Sequence, residues 1–149
     1  MADLQKTLEE AETVAVMGCS DKPHRTSHKI ASYLKESGYR VLPVNPNVEE
    51  ACGERAYPDL ASIPKDVRID IVDIFRDPEH TAEMVEQAAR RAEQTGERPT
   101  VWTQLGVSSS EAERAAKDAD LPYVKNRCMM VEHGRLIGSP EREDKRVER

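Results

Sequence analysis

The sequence predicts a doubly wound α/β fold, with helices on both faces of a parallel five-stranded sheet. Three observations predict it. Short apolar runs that read as buried strands alternate with stretches of helical periodicity. Gly18, Gly38 and Gly96 stand where strands or helices must end. The 149 residues suit one domain, residues 1–149, with an ordered core over about 13–137.

Thr13 to Met17 (TVAVM) is a short apolar run ending at Gly18, which reads as the first buried strand. The segment before it, through Glu12, is polar. From Ser27 to Ser37 the apolar residues Ile30, Tyr33 and Leu34 recur at helical spacing, and Gly38 closes the helix. Tyr39 to Val44 (YRVLPV) is the second strand, stopped by Pro43 and Pro46. Residues 47–68 read as irregular, with a short helix over Asp59 to Ile63. Ile69 to Phe75 (IDIVDIF) is the third strand. Asp73 is a misfit inside it and needs a partner or an edge position.

Asp77-Pro78 reads as a helix N-cap followed by proline at the first helical position. Met84, Val85, Ala88, Ala89 and Ala92 form one helix face, and Gly96 ends it. Thr100 to Leu105 (TVWTQL) is the fourth strand. Ser108 and Glu111 have capping-box spacing. The alanine stripe Ala112, Ala115, Ala116 and Ala119 predicts a helix packed closely on the sheet. Tyr123 to Lys125 begins a fifth strand, and Met129 to Leu136 reads as the last helix. The tail from Glu141 to Arg149 is rich in charge and is expected to fray.

Numbered along the chain, the strands are expected in the order 3-2-1-4-5, with a long right-handed return from the third to the fourth. The switch point then falls between strands 1 and 4, and ligand binds at their C-terminal ends. That edge carries Gly18 to Ser27, Asn45-Pro46, Phe75-Arg76, Gln104 to Val107 and Asn126 to Cys128.

Charge and apolar patterning exclude several functions. Lys plus Arg total 22 against 28 Asp plus Glu, a formal charge of −6, which argues against indiscriminate binding to nucleic acid or an anionic membrane. No apolar run exceeds four residues (Val14 to Met17; Cys128 to Val131), so no membrane span and no secretory signal is expected, and the reading is cytoplasmic. Three widely spaced cysteines without C-x-x-C suggest neither a disulfide framework nor a zinc ribbon. Cys128 and His133 lack further ligands at metal spacing, and no metal is predicted. His24, His28 and His80 have no acid/base partner by spacing, and no G-x-S-x-G elbow exists.

The loop Gly18-Cys19-Ser20-Asp21-Lys22-Pro23-His24-Arg25-Thr26-Ser27 is the most informative segment. It joins a strand to a helix, where open amides and the helix dipole favour an anion. Gly18 permits the sharp turn; Ser20, Thr26 and Ser27 offer hydroxyls; Arg25 offers a bidentate fork for phosphate. The alternative is a plain βα turn capped by Ser27. G-x-G-x-x-G fails at Ser20, and G-x-x-x-x-G-K-[ST] is absent. Asn45 stands where an NAD ribose would call for Asp or Glu. The chemistry leans toward a more highly phosphorylated nucleotide.

The strings VAVMGCSDKPHRTS, GYRVLPVNP, DIFR, VWTQLG and NRCMMVEH occur in this order. Together they resemble the stand-alone CoA-binding domain family, which is similar to the CoA-binding domain of the succinyl-CoA synthetase alpha subunit. The resemblance runs from Thr13 to Leu136. It implies a three-layer Rossmann-like domain that binds coenzyme A or an acyl-CoA. Gly18, Ser20, Arg25 and Ser27 would hold the diphosphate, with Lys22 adding charge. Asn45 and Pro46 would flank the adenosine, and Phe75, Arg76, Trp102 and Gln104 would line the cleft. Cys19 stands where the family more often carries a small residue such as alanine. Next to a helix N-terminus, Cys19 is open to a lowered pKa and a mixed disulfide with the CoA thiol, or is simply a small buried thiol. Trp102 and Phe75 have a plain reading as core packing, and Arg76 as an ion-pair partner of Asp77 or Glu79.

The sequence shows no nucleophile–base pair, no ATP-grasp partner and no phosphorylated-histidine segment. Ligase activity in isolation is therefore not predicted. The expected role is a binding, carrier or regulatory module that senses, carries or buffers CoA or delivers it to a protein partner. An NAD(P)-binding oxidoreductase or nucleotide enzyme, and a regulatory or assembly subunit with an empty pocket, are the alternatives.

Overall fold

The structure, a computed structural model, describes residues 3–138. In chain order its elements are α1 (Leu4–Glu10), β1 (Thr13–Met17), α2 (Thr26–Glu36), β2 (Arg40–Val44), β3 (Glu50–Ala51), β4 (Glu54–Arg55), a 3-10 turn (Leu60–Ser62), β5 (Ile71–Ile74), α3 (Pro78–Thr95), β6 (Thr100–Thr103), α4 (Ser110–Asp118), β7 (Tyr123–Val124) and α5 (Met129–Leu136). Five strands form one parallel sheet in the order β2-β1-β5-β6-β7, and β3-β4 is a separate hairpin. The expected tail, 141–149, lies outside the described residues.

Over the five sheet strands the order is 2-1-3-4-5, not the expected 3-2-1-4-5. Two observations explain the difference. Proline has no N–H to give a ladder and is confined to edges. The Pro43 carbonyl faces away from β1 and accepts from the Tyr57 amide at 2.9 Å, so the ring nitrogen sits on the sheet's free side. The expected order would put Pro43 inside the sheet. The third strand, β5, is instead buried at all four positions, which suits a centre and not an edge. The switch point therefore falls between β1 and β5, the first and third strands.

Strand alternation sorts side chains onto two faces. Val14, Val16, Ile71 and Trp102 pack with Leu8, Ile30, Leu34 and Met129, so α1, α2 and α5 cover one face. Ala15, Met17, Val72, Ile74 and Val101 pack with Leu60, Val85, Ala88, Ala112 and Ala116, so α3 and α4 cover the other. The alanines let α4 lie close, as their spacing predicts. No helix among the described residues is long and apolar enough to cross a membrane.

Three local features differ from expectation. The polar N-terminal segment holds a helix, α1, capped by Asp3 and anchored by buried Leu8. Part of the irregular 47–68 stretch is the β3-β4 hairpin, whose turn places Cys52 and Gly53 at φ 54° and 75°. The cap of α4 is Ser109, which accepts from the Ala112 amide at 3.1 Å; Ser108 bonds the Tyr123 hydroxyl instead.

Asp73 finds neither a partner nor an edge. It is wholly buried in β5 between Val16 and Trp102, and neither carboxyl oxygen is hydrogen-bonded among the described residues. Burial pushes its carboxyl well above the usual range. The folded chain thus keeps a proton that the unfolded chain releases above about pH 4. Stability is then lost progressively as pH rises from there toward the folded pKa. Asp73→Asn, nearly isosteric and unable to ionise, is expected to gain on wild type with increasing pH. Urea unfolding at pH 5 and pH 8 measures the difference; a pH-independent offset would contradict the account.

Candidate functional site

The first loop is drawn tight where β1 ends. The Gly18 amide donates to the Val44 carbonyl at 2.8 Å, and the Phe75 amide donates to the Met17 carbonyl at 2.9 Å. Gly18 adopts φ 82°, so the chain turns sharply beside the end of β5. The loop is then braced internally. Buried Ser27 accepts the Ser20 amide at 3.0 Å, and Ser20 Oγ accepts the Lys22 amide at 3.0 Å. Asn45, at the end of β2, donates through Nδ2 to the Cys19 carbonyl at 3.0 Å and accepts from the Asn47 amide at 2.9 Å.

This bracing leaves the N-terminus of α2 open. Its N-cap residue, Arg25, makes no side-chain bond to the helix, and no acid stands in the first turn. The exposed side chains of Lys22 and Arg25 form no ion pair among the described residues. Two cations and a helix dipole thus converge on one corner, tempered by the Asp21 carboxylate on its rim. Gly18, Ser20, Lys22, Arg25, Ser27 and Phe75 line a cleft of about 680 Å³ here, together with Asp21, Thr26, Asn47 and Val48.

A second lobe of about 400 Å³ shares Thr26 and Phe75 with the first. Arg76, Gln104, Leu105, Val107 and Cys128 are among its lining. This lobe is more apolar, and Leu105 stands 68% exposed on its lip. Gln104 is positioned by accepting the Met129 amide at 3.1 Å, which caps α5. Arg76 forms no ion pair with Asp77 or Glu79; Glu79 instead lies beside His80. The two lobes meet at the switch point between β1 and β5, which is why Phe75 belongs to both.

Most of the sequence-predicted residues gather here, with four differences. Trp102 is wholly buried and donates from Nε1 to the Arg127 carbonyl at 2.8 Å; it points into the core on the α2–α5 face, away from either lobe. Cys19 is also wholly buried, and burial together with the neighbouring Cys52 thiol raises its pKa to about 12. The helix N-terminus does not lower it, because the side chain turns inward. Asn45 acts as a brace, with both ends of its amide occupied within the protein. Pro46 is exposed and outside the lining; Asn47 and Val48 form that wall. The apolar Val48 after a Pro-Asn turn was the available signal for this wall.

A family profile described as "CoA binding domain" matches residues 12–134. The chain is 33% identical over 132 residues to the uncharacterized protein YneT of Bacillus subtilis (strain 168), covering 89% of this chain and 93% of that one. It is similar to the solved structure of a hypothetical protein from Pyrococcus horikoshii OT3, at 41% identity and TM-score 0.84, covering 91% of each chain. It is also 26% identical over 126 residues to the alpha subunit of an ADP-forming acetate–CoA ligase II from Pyrococcus furiosus, covering 84% of this chain but 25% of that subunit.

Proposed function

Since the chain belongs to the CoA binding domain family, we propose that it binds coenzyme A or an acyl-CoA in the two-lobed cleft and performs no chemistry of its own there. The observation that carries this reading is the open N-terminus of α2, flanked by Lys22 and Arg25. The diphosphate settles against the first-turn amides, where dipole and guanidinium act together. The adenosine lies along the wall of Asn47 and Val48. The pantetheine arm passes Phe75 and Arg76 into the apolar lobe, and its thiol end reaches the neighbourhood of Leu105, Val107 and Cys128. Ser27 and Asn45 act indirectly, by holding the loop in shape. Trp102 and the Cys19 side chain take no part in contact.

Among the described residues, the lining of both lobes contains no histidine and no paired nucleophile and base. This favours a carrier, buffering or regulatory role, with a protein partner receiving or sensing the loaded cofactor. The whole ligase subunit's activity is not carried over, since the chain spans only a quarter of it.

Thermal unfolding in parallel with CoA, acetyl-CoA, NAD, NADP and ATP tests the reading. A ligand at a hundredfold its dissociation constant adds about 2.7 kcal/mol, which for a chain this long raises Tm by roughly 8 °C. The rise is expected with CoA or acetyl-CoA and not with NAD. Arg25→Ala removes a charge-assisted contact, so CoA affinity should fall about 10- to 100-fold while the unliganded Tm stays put. A rise with NAD alone, or none with CoA, contradicts the proposal.

A further inference from the structure

We propose that the apolar lobe is built for a thioester: Gln104 Nε2 donates to an acyl carbonyl, and the lobe prefers an acyl-CoA with a short uncharged acyl group over free CoA. This rests on the two-lobed cleft being the CoA site, and it names the form of the cofactor that the site takes. Gln104 directly follows β6 and is 5% exposed. The N-cap residue of α5, Cys128, gives its helix no side-chain cap. Gln104 supplies one instead, its Oε1 accepting the Met129 amide at 3.1 Å. A backbone N–H can only donate, so this bond fixes which branch of the side-chain amide is oxygen and which is nitrogen. Nε2 is then left with no hydrogen bond among the described residues. It is not sealed in the interior, since the wholly buried unpartnered side-chain atoms among the described residues belong to Asp73 and Arg91. Gln104 lines the apolar lobe, and the free donor faces that lobe.

A nearly buried donor without a partner is costly, and a ligand that brings an acceptor removes the cost. The surroundings define that acceptor. Along the C-terminal edge of the sheet, β1 leads into the phosphate corner, β5 into Phe75 and Arg76, and β6 into Gln104 and Leu105. The donor therefore stands beyond Phe75 from the diphosphate, at the end of the cleft that receives the sulfur. Free CoA ends there in a thiol, a weak acceptor that leaves Nε2 unpartnered; a thioester brings a carbonyl. Ile30, Leu105 and Val107 offer an acyl chain apolar contact, and Leu105, 68% exposed, has surface left to bury. The cation of this lobe turns the other way. Arg76 Cδ lies 3.2 Å from where a Cβ on Gly18 would stand, so the side chain leans back toward the phosphate corner. Asp77 remains in the lining and repels an acyl carboxylate. A neutral chain suits this end of the cleft, and a dicarboxylic acyl group does not.

Calorimetric titration of the full chain with CoA, butyryl-CoA, S-butyl-CoA and succinyl-CoA tests this. The butyryl and S-butyl groups carry the same number of carbons, and only the butyryl group has a carbonyl. Butyryl-CoA is expected to bind about tenfold tighter than S-butyl-CoA, the worth of roughly one hydrogen bond, and also tighter than CoA and succinyl-CoA. In Gln104→Glu the carboxylate still accepts the Met129 amide but donates nothing, so the affinity ratio of butyryl-CoA to S-butyl-CoA should fall to about one. The wild-type comparison decides the matter even where that variant does not fold. Equal wild-type affinities for butyryl-CoA and S-butyl-CoA, or tighter binding of CoA than of butyryl-CoA, would overturn the proposal and leave the CoA reading standing. So would a Gln104→Glu loss shared equally by both ligands, which puts the amide on a pantetheine carbonyl. If none of these ligands binds, the CoA reading itself fails and this inference with it.

Discussion

Gly18→Ala is expected to destabilise the fold by about 3 kcal/mol or more and to lower Tm by roughly 10 °C. Two costs combine. A side chain at φ 82° occupies the left-handed region, which costs an L-residue about 1–2 kcal/mol. The added Cβ would also stand 2.1 Å from the Phe75 carbonyl oxygen, a contact no real Cβ tolerates. That oxygen belongs to backbone, so relief requires β1 and β5 to part at their C-terminal ends, adding a further 1–3 kcal/mol or so of overpacking strain. The strands part where the two lobes join, so CoA affinity should fall with stability. Urea unfolding and CoA titration of the same variant check both effects. A Tm within 2 °C or so of wild type would show that the turn is not under this constraint.

Arg91→Ala is expected to cost about 3–5 kcal/mol, for a reason remote from the cleft. Arg91 is 4% exposed on α3, and its guanidinium replaces a missing ladder for the irregular chain after the 3-10 turn. Nη1 donates to the carbonyls of Leu60 and Ile63 at 3.1 and 2.8 Å. Nη2 donates to those of Pro64 and Val67 at 2.9 and 2.7 Å. Truncation strands these acceptors beside a cavity, and each buried unpaired acceptor is costly. Arg91→Lys should recover less than half of the loss, because an ammonium cannot span four carbonyls with a planar fork. Urea unfolding gives the magnitude, and faster amide exchange confined first to residues 60–69 gives the cause. CoA affinity of the folded Arg91→Ala chain should stay within about twofold of wild type. A loss below about 1 kcal/mol would mean that water replaces the guanidinium.

The loop from Gly18 to Ser27 was legible in the sequence because its chemistry is contiguous. One turn glycine, three hydroxyls and two cations fall between an apolar run and a helical period. The fold class was legible for the same reason, and the family resemblance agrees with the profile match over residues 12–134. The strand order was misread although Pro43 carried the information: a strand that lacks an N–H belongs at an edge. Helix α1 was missed because Leu4 and Leu8 alone supply its apolar stripe. The β3-β4 hairpin was missed because E-A-C-G-E-R has too few apolar positions to alternate. Trp102 and Phe75 illustrate the limit. Both stand in or beside strands at the sheet's C-terminal edge, and only the three-dimensional packing sends one into the core and the other into the cleft. Asn45 sits at the right end of the right strand, yet its amide is occupied in shaping the loop, which no residue pattern announces.

A crystal of the chain grown or soaked with coenzyme A reads the binding corner directly. Diphosphate density within hydrogen-bonding distance of the α2 first-turn amides, with the Arg25 guanidinium turned onto it, is the predicted result. Coenzyme A bound elsewhere with that corner vacant, or a side chain filling it, would contradict the account.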